Sequence, residues 1–381
     1  MIDQILSPPP QSSVSIELGP YEASLPGPLL LRLGLRPSAV GGPLGWGAEI
    51  ASADFDTGYN YIGLEERAAA SPVEWESVTP MVEQLCGRCS QANTLALVQA
   101  VESMAGILVP TRAAYLRIVL VEMERITSHL LNAAETLQVL RMPEEESALR
   151  DIRERVFHAL GEWTGSRIQP GLIAFGGLSR HVDEPTSKEL ALAARPLERA
   201  LRGHVTAIIN NREVAARLAG LGVIKPDEAT LAGLRGPNAR ASGLAHDIRS
   251  AFPTGAYEEE GVTIVVQRGG DAFARLVVRL LESLESFRIV EQALDDLPGG
   301  PVKGRVSLDV RSGSGIGRVE GPRGEVFCWI SGGPEGLTGL HLSAGSFPSL
   351  GFLPSLLKGR QFDDLRLLIL SLDICMACLE R

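Results

Sequence analysis

Basic charge is scarce in this chain: 36 lysines and arginines stand against 46 aspartates and glutamates, a formal net charge of -10 over 381 residues. Such a chain has no general field for a polyanion, and no local basic patch contradicts the sum, so nucleic acid is excluded as a partner. Long apolar runs are missing too. The most apolar stretches, Leu29 to Leu35 and Leu365 to Leu372, fall far short of the roughly 20 residues that a membrane-spanning helix needs. The opening MIDQILSPPPQSS has neither a basic segment leading into an apolar core nor a twin-arginine pair. The expectation is therefore a cytosolic chain without its own export signal, reaching any membrane only through partners. There are only five cysteines, which in a chain this long do not make the disulfide framework of a small secreted fold. No internal repeat is visible, and no low-complexity linker beyond the first dozen residues. What is present is 45% hydrophobic content, enough to bury a large core.

The pattern along the chain predicts a mainly α, α+β protein. Short β-like runs punctuated by Gly and Pro, at Val14 to Leu18, Leu29 to Leu35 and Ala48 to Phe55, predict a small N-terminal sheet within about residues 14–56. After Glu65 the periodicity turns helical. Leu116, Val119, Leu120, Met123, Ile126, Leu130 and Leu137 share one stripe of a helix from Thr111 to about Leu140, with Pro110 and Thr111 as its start signal. Further long helices are expected at about 145–167, 185–220 and 271–297, the last stopped by Leu297-Pro298-Gly299-Gly300, and a final one from Phe362 to about Leu370. Val262 to Gln267, Arg305 to Val310, Arg318 to Glu320, Glu325 to Ile330 and Gly339 to Ser343 read as strands. The whole, 1–381, reads as one domain.

Four of the cysteines form two C-x-x-C pairs at opposite ends of the chain, Cys86/Cys89 and Cys375/Cys378, while Cys328 lies alone in the apolar run Val326 to Ile330 and reads as a buried small hydrophobe. Each pair spacing lets two thiolates chelate one centre at a turn entering a helix. Several chemistries share this donor set. A structural zinc site usually draws its pairs from within a few tens of residues. A thioredoxin-like dithiol at Cys86-Gly87-Arg88-Cys89 lacks a surrounding βαβ pattern and leaves the second pair unexplained. A four-cysteine iron-sulfur cluster is chemically open. The spacing alone favours a thiolate metal site of undefined metal over buried, inert cysteines or redox thiols.

The flanks carry more. Glu83-Gln84-Leu85-Cys86-Gly87-Arg88-Cys89 resembles the E-R-I-C-G-x-C motif of [NiFe] hydrogenase large subunits, and Leu372-Asp373-Ile374-Cys375-Met376-Ala377-Cys378 resembles their D-P-C-x-x-C motif. The landmarks between them resemble most the membrane-bound, energy-converting hydrogenases and the related 49 kDa subunit of complex I. These are Gly58 to Glu65, Glu122-Met123-Glu124-Arg125-Ile126-Thr127-Ser128-His129-Leu130, Gly236 to Gly243 with Asp247-Ile248-Arg249, Glu320-Gly321-Pro322-Arg323-Gly324-Glu325, Gly345-Ser346-Phe347 and Leu356-Leu357-Lys358-Gly359. The resemblance covers nearly the whole chain and implies a long-helix bundle body with small peripheral sheets.

It also implies chemistry. Cys86 and Cys375 would be terminal nickel ligands, and Cys89 and Cys378 would bridge nickel to an iron carrying CO and cyanide. Arg323 would project over the open side of the metals, oriented by Asp373. Pro322 and Ser346 would line the pocket of the diatomic ligands, with Ser346 donating to a cyanide. Glu65 would take a proton from Cys375, burial in an apolar site raising its pKa. The expected substrates are hydrogen and protons. Iron-sulfur clusters would reside only in partners: a small subunit with a proximal [4Fe-4S] cluster and ferredoxin-like subunits, beside membrane ion-translocating subunits, at the cytoplasmic side of the membrane.

The bland readings differ by residue. Arg240, Asp247 and Arg249 read as a buried network and His129, four residues after Arg125, as a structural histidine, while the glycine run Gly313 to Gly317 leads into a strand and fails as a dinucleotide loop. Departures from the motifs are Tyr61, Ile62, Gln84, Asn93 and Ile374, expected around the metal ligands and so bearing on turnover more than on metal binding. Glu22 and Leu97 stand where the quinone-reducing relatives carry histidine and tyrosine, which argues against quinone reduction. The rival expectations are a complex I-like scaffold without hydrogen chemistry and a zinc-stapled structural protein.

Overall fold

The computed structural model describes residues 14–21, 27–36, 47–168, 171–182, 184–307 and 312–381. Val14–Leu18 (β1), Leu30–Arg36 (β2) and Glu49–Asp56 (β3) pair antiparallel in that order. On β2 the period-two alternation places Leu31, Leu33 and Leu35 on one fully buried face. Helices follow at Leu64–Ala70 (α1), Trp75–Glu83 (α2), Ser90–Ala105 (α3), Thr111–Val139 (α4) and Pro143–Thr164 (α5). The α5 start is favoured by Pro143 at its first position and by Glu144, Glu145 and Glu146 at the positive end of the helix dipole. A two-strand ribbon, Ile173–Ala174 (β4) and Gly177–Leu178 (β5), leads into Glu184–Ile209 (α6).

The helix expected at 185–220 is interrupted at Asn210 and Asn211. Asn211 accepts hydrogen bonds from Glu213 N and Val214 N, so its side chain caps a new helix, Arg212–Leu218 (α7). Four short helices come next: Pro226–Leu231 (α8), Gly236–Ala241 (α9), Ile248–Ala251 (α10) and Ala256–Glu260 (α11). Ala272–Asp295 (α12) is capped by Asp271, which accepts from Ala274 N at 2.8 Å. Gly313–Gly321 (β6), Gly324–Gly333 (β7) and Gly336–Ser343 (β8) form an antiparallel meander, and Ser346–Leu357 (α13) and Leu365–Leu372 (α14) complete the chain with a 3-10 turn at Met376–Cys378.

Helices α4, α5, α6 and α12 make the body, α4 and α12 being apolar on nearly every face because neighbours surround them. Helix α3 packs on β6 so closely that a Cβ at Gly317 would lie 1.8 Å from Ala96 O. That close approach is what the glycine run serves. Two apolar cores result, a large one in the helical body and a smaller one of β2, α13 and α14. Residues 374–378 run along their seam: Ile374 and Met376 belong to the small core, Cys375 and Cys378 to the large one.

One strand expectation fails. Val262 to Gln267 pairs with no strand among the described residues; Thr263 N donates to Glu285 Oε1 and Gln267 N to Arg240 O, so these backbone groups are satisfied by helices instead. Arg305 to Ser307 form no strand, and the rest of that expected strand lies outside the described residues, as does Glu22.

Candidate metal centre

All four expected ligands meet in one buried cluster. Cys86 Sγ lies 3.4 Å from Cys375 Sγ, and the sulfurs of Cys86, Cys89 and Cys378 lie within 4.8 Å of one another. Cys89 is the residue before α3, where the helix end offers free N–H groups. The carboxylate of Glu124, reaching across from α4, accepts from Gln91 N at 2.8 Å, Ala92 N at 3.1 Å and Ser90 Oγ at 3.1 Å. It acts as a cap supplied by another helix and fixes where Cys89 stands. Burial outweighs these donors and raises its pKa to about 7.

The second pair is held differently. Asp373 ends α14 in the left-handed region (φ 50), a conformation that a non-glycine residue adopts at a cost. Cys375 N donates to Ser346 Oγ at 3.0 Å, at the first residue of α13. Hydrogen bonds offered by Cys378, Cys86 and Cys89, with the charge of Arg323, hold Cys375 well below the usual thiol range, while donating to Cys375 pushes Cys89 and Cys378 up. A cation among the sulfurs would favour ionising Cys89 and Cys378 as well.

Arg323 is carried by the tip of the β6–β7 hairpin, whose two-residue turn is Pro322-Arg323, with Gly324 at φ 111. The backbone of Gly236, at the start of α9, presses on that tip: a Cβ at Gly324 would stand 2.6 Å from Gly236 N. The guanidinium donates from Nε to Asp373 O at 2.8 Å, from Nη2 to Asp373 Oδ1 at 3.0 Å and from Nη1 to Cys89 Sγ at 3.0 Å. This two-point clamp fixes both position and plane.

The other site expectations divide. Ser346 and Arg323 line a small void beside Cys89 and Cys378, whereas Pro322 is buried at the tip and is not among that void's lining residues. Glu65 is partly exposed, not in an apolar site. Burial pushes its pKa up, but Leu342 N at 2.9 Å and Arg381 Nε at 2.7 Å outweigh that, so the carboxyl is held below its ordinary value, opposite to the expectation. Its described contacts are with β8 and Arg381, not with Cys375. Among the motif departures, Tyr61, Ile62 and Gln84 are exposed rather than packed around the thiols. Asn93 does face them, its Nδ2 3.8 Å from Cys378 Sγ and its buried Oδ1 without a partner. Cys328 is fully buried in the large core and His129 bonds Glu282, both as read from the sequence, and Leu97 is buried in the large core as well. Sequence reasoning missed Arg279. The signal was there, two arginines four residues apart, Arg275 and Arg279, inside the apolar run of α12.

The family model described as "Respiratory-chain NADH dehydrogenase, 49 Kd subunit" matches residues 147–311 and 306–381, and the chain belongs to that family. It is 30% identical over 353 residues to the "Membrane-bound hydrogenase subunit alpha" of Pyrococcus furiosus, covering 88% of this chain and 82% of that protein. It is 27% identical over 379 residues to the "Carbon monoxide-induced hydrogenase" of Rhodospirillum rubrum, covering 97% of this chain and 100% of the relative. The fold matches a chain of the membrane-bound sulfane sulfur reductase, an archaeal respiratory membrane complex, with a TM-score of 0.87 at 24% identity, over 98% of this chain and 100% of that one. The Pyrococcus furiosus relative is named as a membrane-bound subunit and the structural neighbour comes from a membrane complex, while among the described residues here no helix is long and apolar enough to cross a membrane.

Proposed function

We propose that this chain is the catalytic large subunit of a [NiFe] hydrogenase complex, interconverting hydrogen with protons and electrons. The observation that carries this reading is the convergence of Cys86, Cys89, Cys375 and Cys378 beneath an arginine gripped at two points by Asp373. The residues fit such a group. Four soft sulfurs suit nickel and iron, and the void bordered by Cys89, Asn93, Ser346 and Cys378 lies where ligands on a metal would project. When bound, the centre supplies the Lewis acidity and redox capacity for heterolytic cleavage of hydrogen.

The chain's own residues then divide the remaining work. Arg323 holds a positive charge over the sulfur of Cys89, and Asp373 prevents that guanidinium from turning away. Ser346 fixes Cys375 through the backbone and presents its hydroxyl to the void. Glu65, kept ionised by Arg381 and Leu342 N, serves as the outward proton acceptor, with half-exposed His341 beside it at 3.4 Å. Electrons leave through a small subunit bearing a proximal [4Fe-4S] cluster. Ferredoxin-like and membrane ion-translocating subunits complete the complex at the cytoplasmic face.

One observation favours the rival reading, a complex I-like scaffold without hydrogen chemistry: Glu65 is engaged in an ion pair and makes no described contact with the thiols. The purified complex separates the two. Wild type should reduce a viologen dye with hydrogen and contain nickel; Cys375→Ser should lose both. A nickel-free, inactive wild-type complex would leave the scaffold reading.

A further inference from the structure

Helix α12 carries two buried arginines that the metal-site reading has not used. Arg275 and Arg279, one turn apart on α12, are fully buried. Arg275 donates to Ser371 Oγ, Gly270 O and Gly222 O, all neutral acceptors. Arg279 donates from Nη1 to Arg275 O at 3.2 Å and from Nη2 to Asn238 Oδ1 at 3.1 Å. Asn238 in turn donates to Leu372 O at 2.9 Å, beside Asp373. Arg279 is thereby anchored with its Nε turned to Asp373, 3.9 Å from Oδ2, and both of these buried atoms lack a hydrogen-bond partner. The other oxygen and the carbonyl of Asp373 are already committed to Arg323. One carboxylate therefore serves two guanidiniums, with a third behind them. Burial pushes the pKa of both α12 arginines down, that of Arg275 to about 9, the sign of cations short of counter-charge.

We propose that Arg279 is a positioning residue for the metal centre: it steadies the free oxygen of Asp373, hence the Arg323 clamp on Cys89, and supplies buried positive charge that an anionic metal-thiolate centre would balance. Four thiolates around a divalent metal leave more negative charge than the metal-free cluster, in which Cys375 alone is held low. The inference rests on the metal-site reading but not on which metal is bound. It gives two effects of opposite sign. Replacing Arg279 by an apolar side chain of similar length relieves an uncompensated cation in the metal-free chain, yet weakens the loaded one.

The test uses the full metal-free chain with cobalt(II) as probe, followed by its thiolate-to-metal absorption. Arg279→Met should lower cobalt affinity by about tenfold or more, and Arg279→Lys should stay within about threefold of wild type, since the charge is kept. The Tm of metal-free Arg279→Met should equal or exceed that of wild type, a result that a merely structural arginine would not give. Unchanged cobalt affinity in Arg279→Met overturns the inference. So does a lowered Tm, or failure of that variant to fold without metal, because either makes Arg279 a prop of the fold. A wild-type chain with no cobalt-thiolate band overturns the metal-site reading, and this inference with it.

Discussion

Two clusters of buried arginines lie on either side of Arg323, and they are built on opposite principles. In the first, Arg125, Arg240 and Arg249 meet Glu122, Asp247, Glu282 and Glu320. Arg240 bonds Glu282 at 2.6 Å and Glu320 at 2.8 Å, Arg249 bonds Asp247 at 2.8 Å and Glu122 at 3.2 Å, and Arg125 bonds Glu122 at 3.1 Å. Carboxylates are in slight excess, and burial with the neighbouring Asp247 raises Glu320. In the second, Arg279 and Arg323 share Asp373, and Arg275, one turn from Arg279, bonds only neutral acceptors. The first cluster pairs each of its arginines with carboxylates, although Arg240 Nη2 lacks a hydrogen-bond partner. Its Arg125 donates to the carbonyls of Glu320 and Gly321, anchoring the strand that carries Arg323. The second has Asp373 and the low-lying thiol of Cys375 as its acids, and an anionic metal-thiolate centre would add to them. Buried charge marks a functional site when its sum is wrong, not merely when it is buried.

The comparison is broken most severely from the balanced side. Arg240→Met leaves Glu282, Glu320 and Asp247 short of their cation, and the expected loss is about 3–5 kcal/mol, measured by urea unfolding; a loss below 1 kcal/mol would show that the network tolerates imbalance. In the cation-rich cluster the sensitive member is the acid. Asp373→Asn strands Arg323 and Arg279 and should cost the metal-free chain about 3 kcal/mol, in contrast to a neutral or stabilising Arg279→Met. Equal losses for both variants would erase the difference between the clusters.

A pH scan adds a further test. His129 is buried against Glu282, and burial depresses its pKa to about 4 from 6.5. The unfolded chain binds that proton first, so stability present above pH 6.5 is lost as pH falls toward 4, by about 3 kcal/mol. His129→Gln should flatten that segment of the unfolding curve, and an unaltered slope would place the proton uptake elsewhere. Smallest of all, Lys188→Ala removes an exposed pair with Glu184 and should change stability by no more than about 0.5 kcal/mol, as expected where water screens the charge.

Much of this was legible in the amino-acid order. The stripe from Leu116 to Leu137 identifies α4 because one long helix must present apolar residues at helical spacing, and Val14 to Phe55 alternates as a sheet does. The strand read at Val262 to Gln267 fails because β-rich composition does not guarantee a neighbour to pair with. The thiol pairs were readable because each pair's spacing is local. Glu65 was misjudged for the converse reason: its donors, Leu342 N and Arg381, come from distant parts of the chain. Arg279 was passed over likewise, since its meaning depends on Asp373 and on the sum of charges, which only the fold assembles.

The central claim is that the four thiols hold a nickel-iron centre. Infrared spectroscopy of the assembled complex, with metal analysis of the same sample, addresses it most directly. The account predicts nickel and iron together with the stretching bands of bound CO and cyanide. A complex holding zinc alone, or no metal, with that spectral region empty, would contradict it.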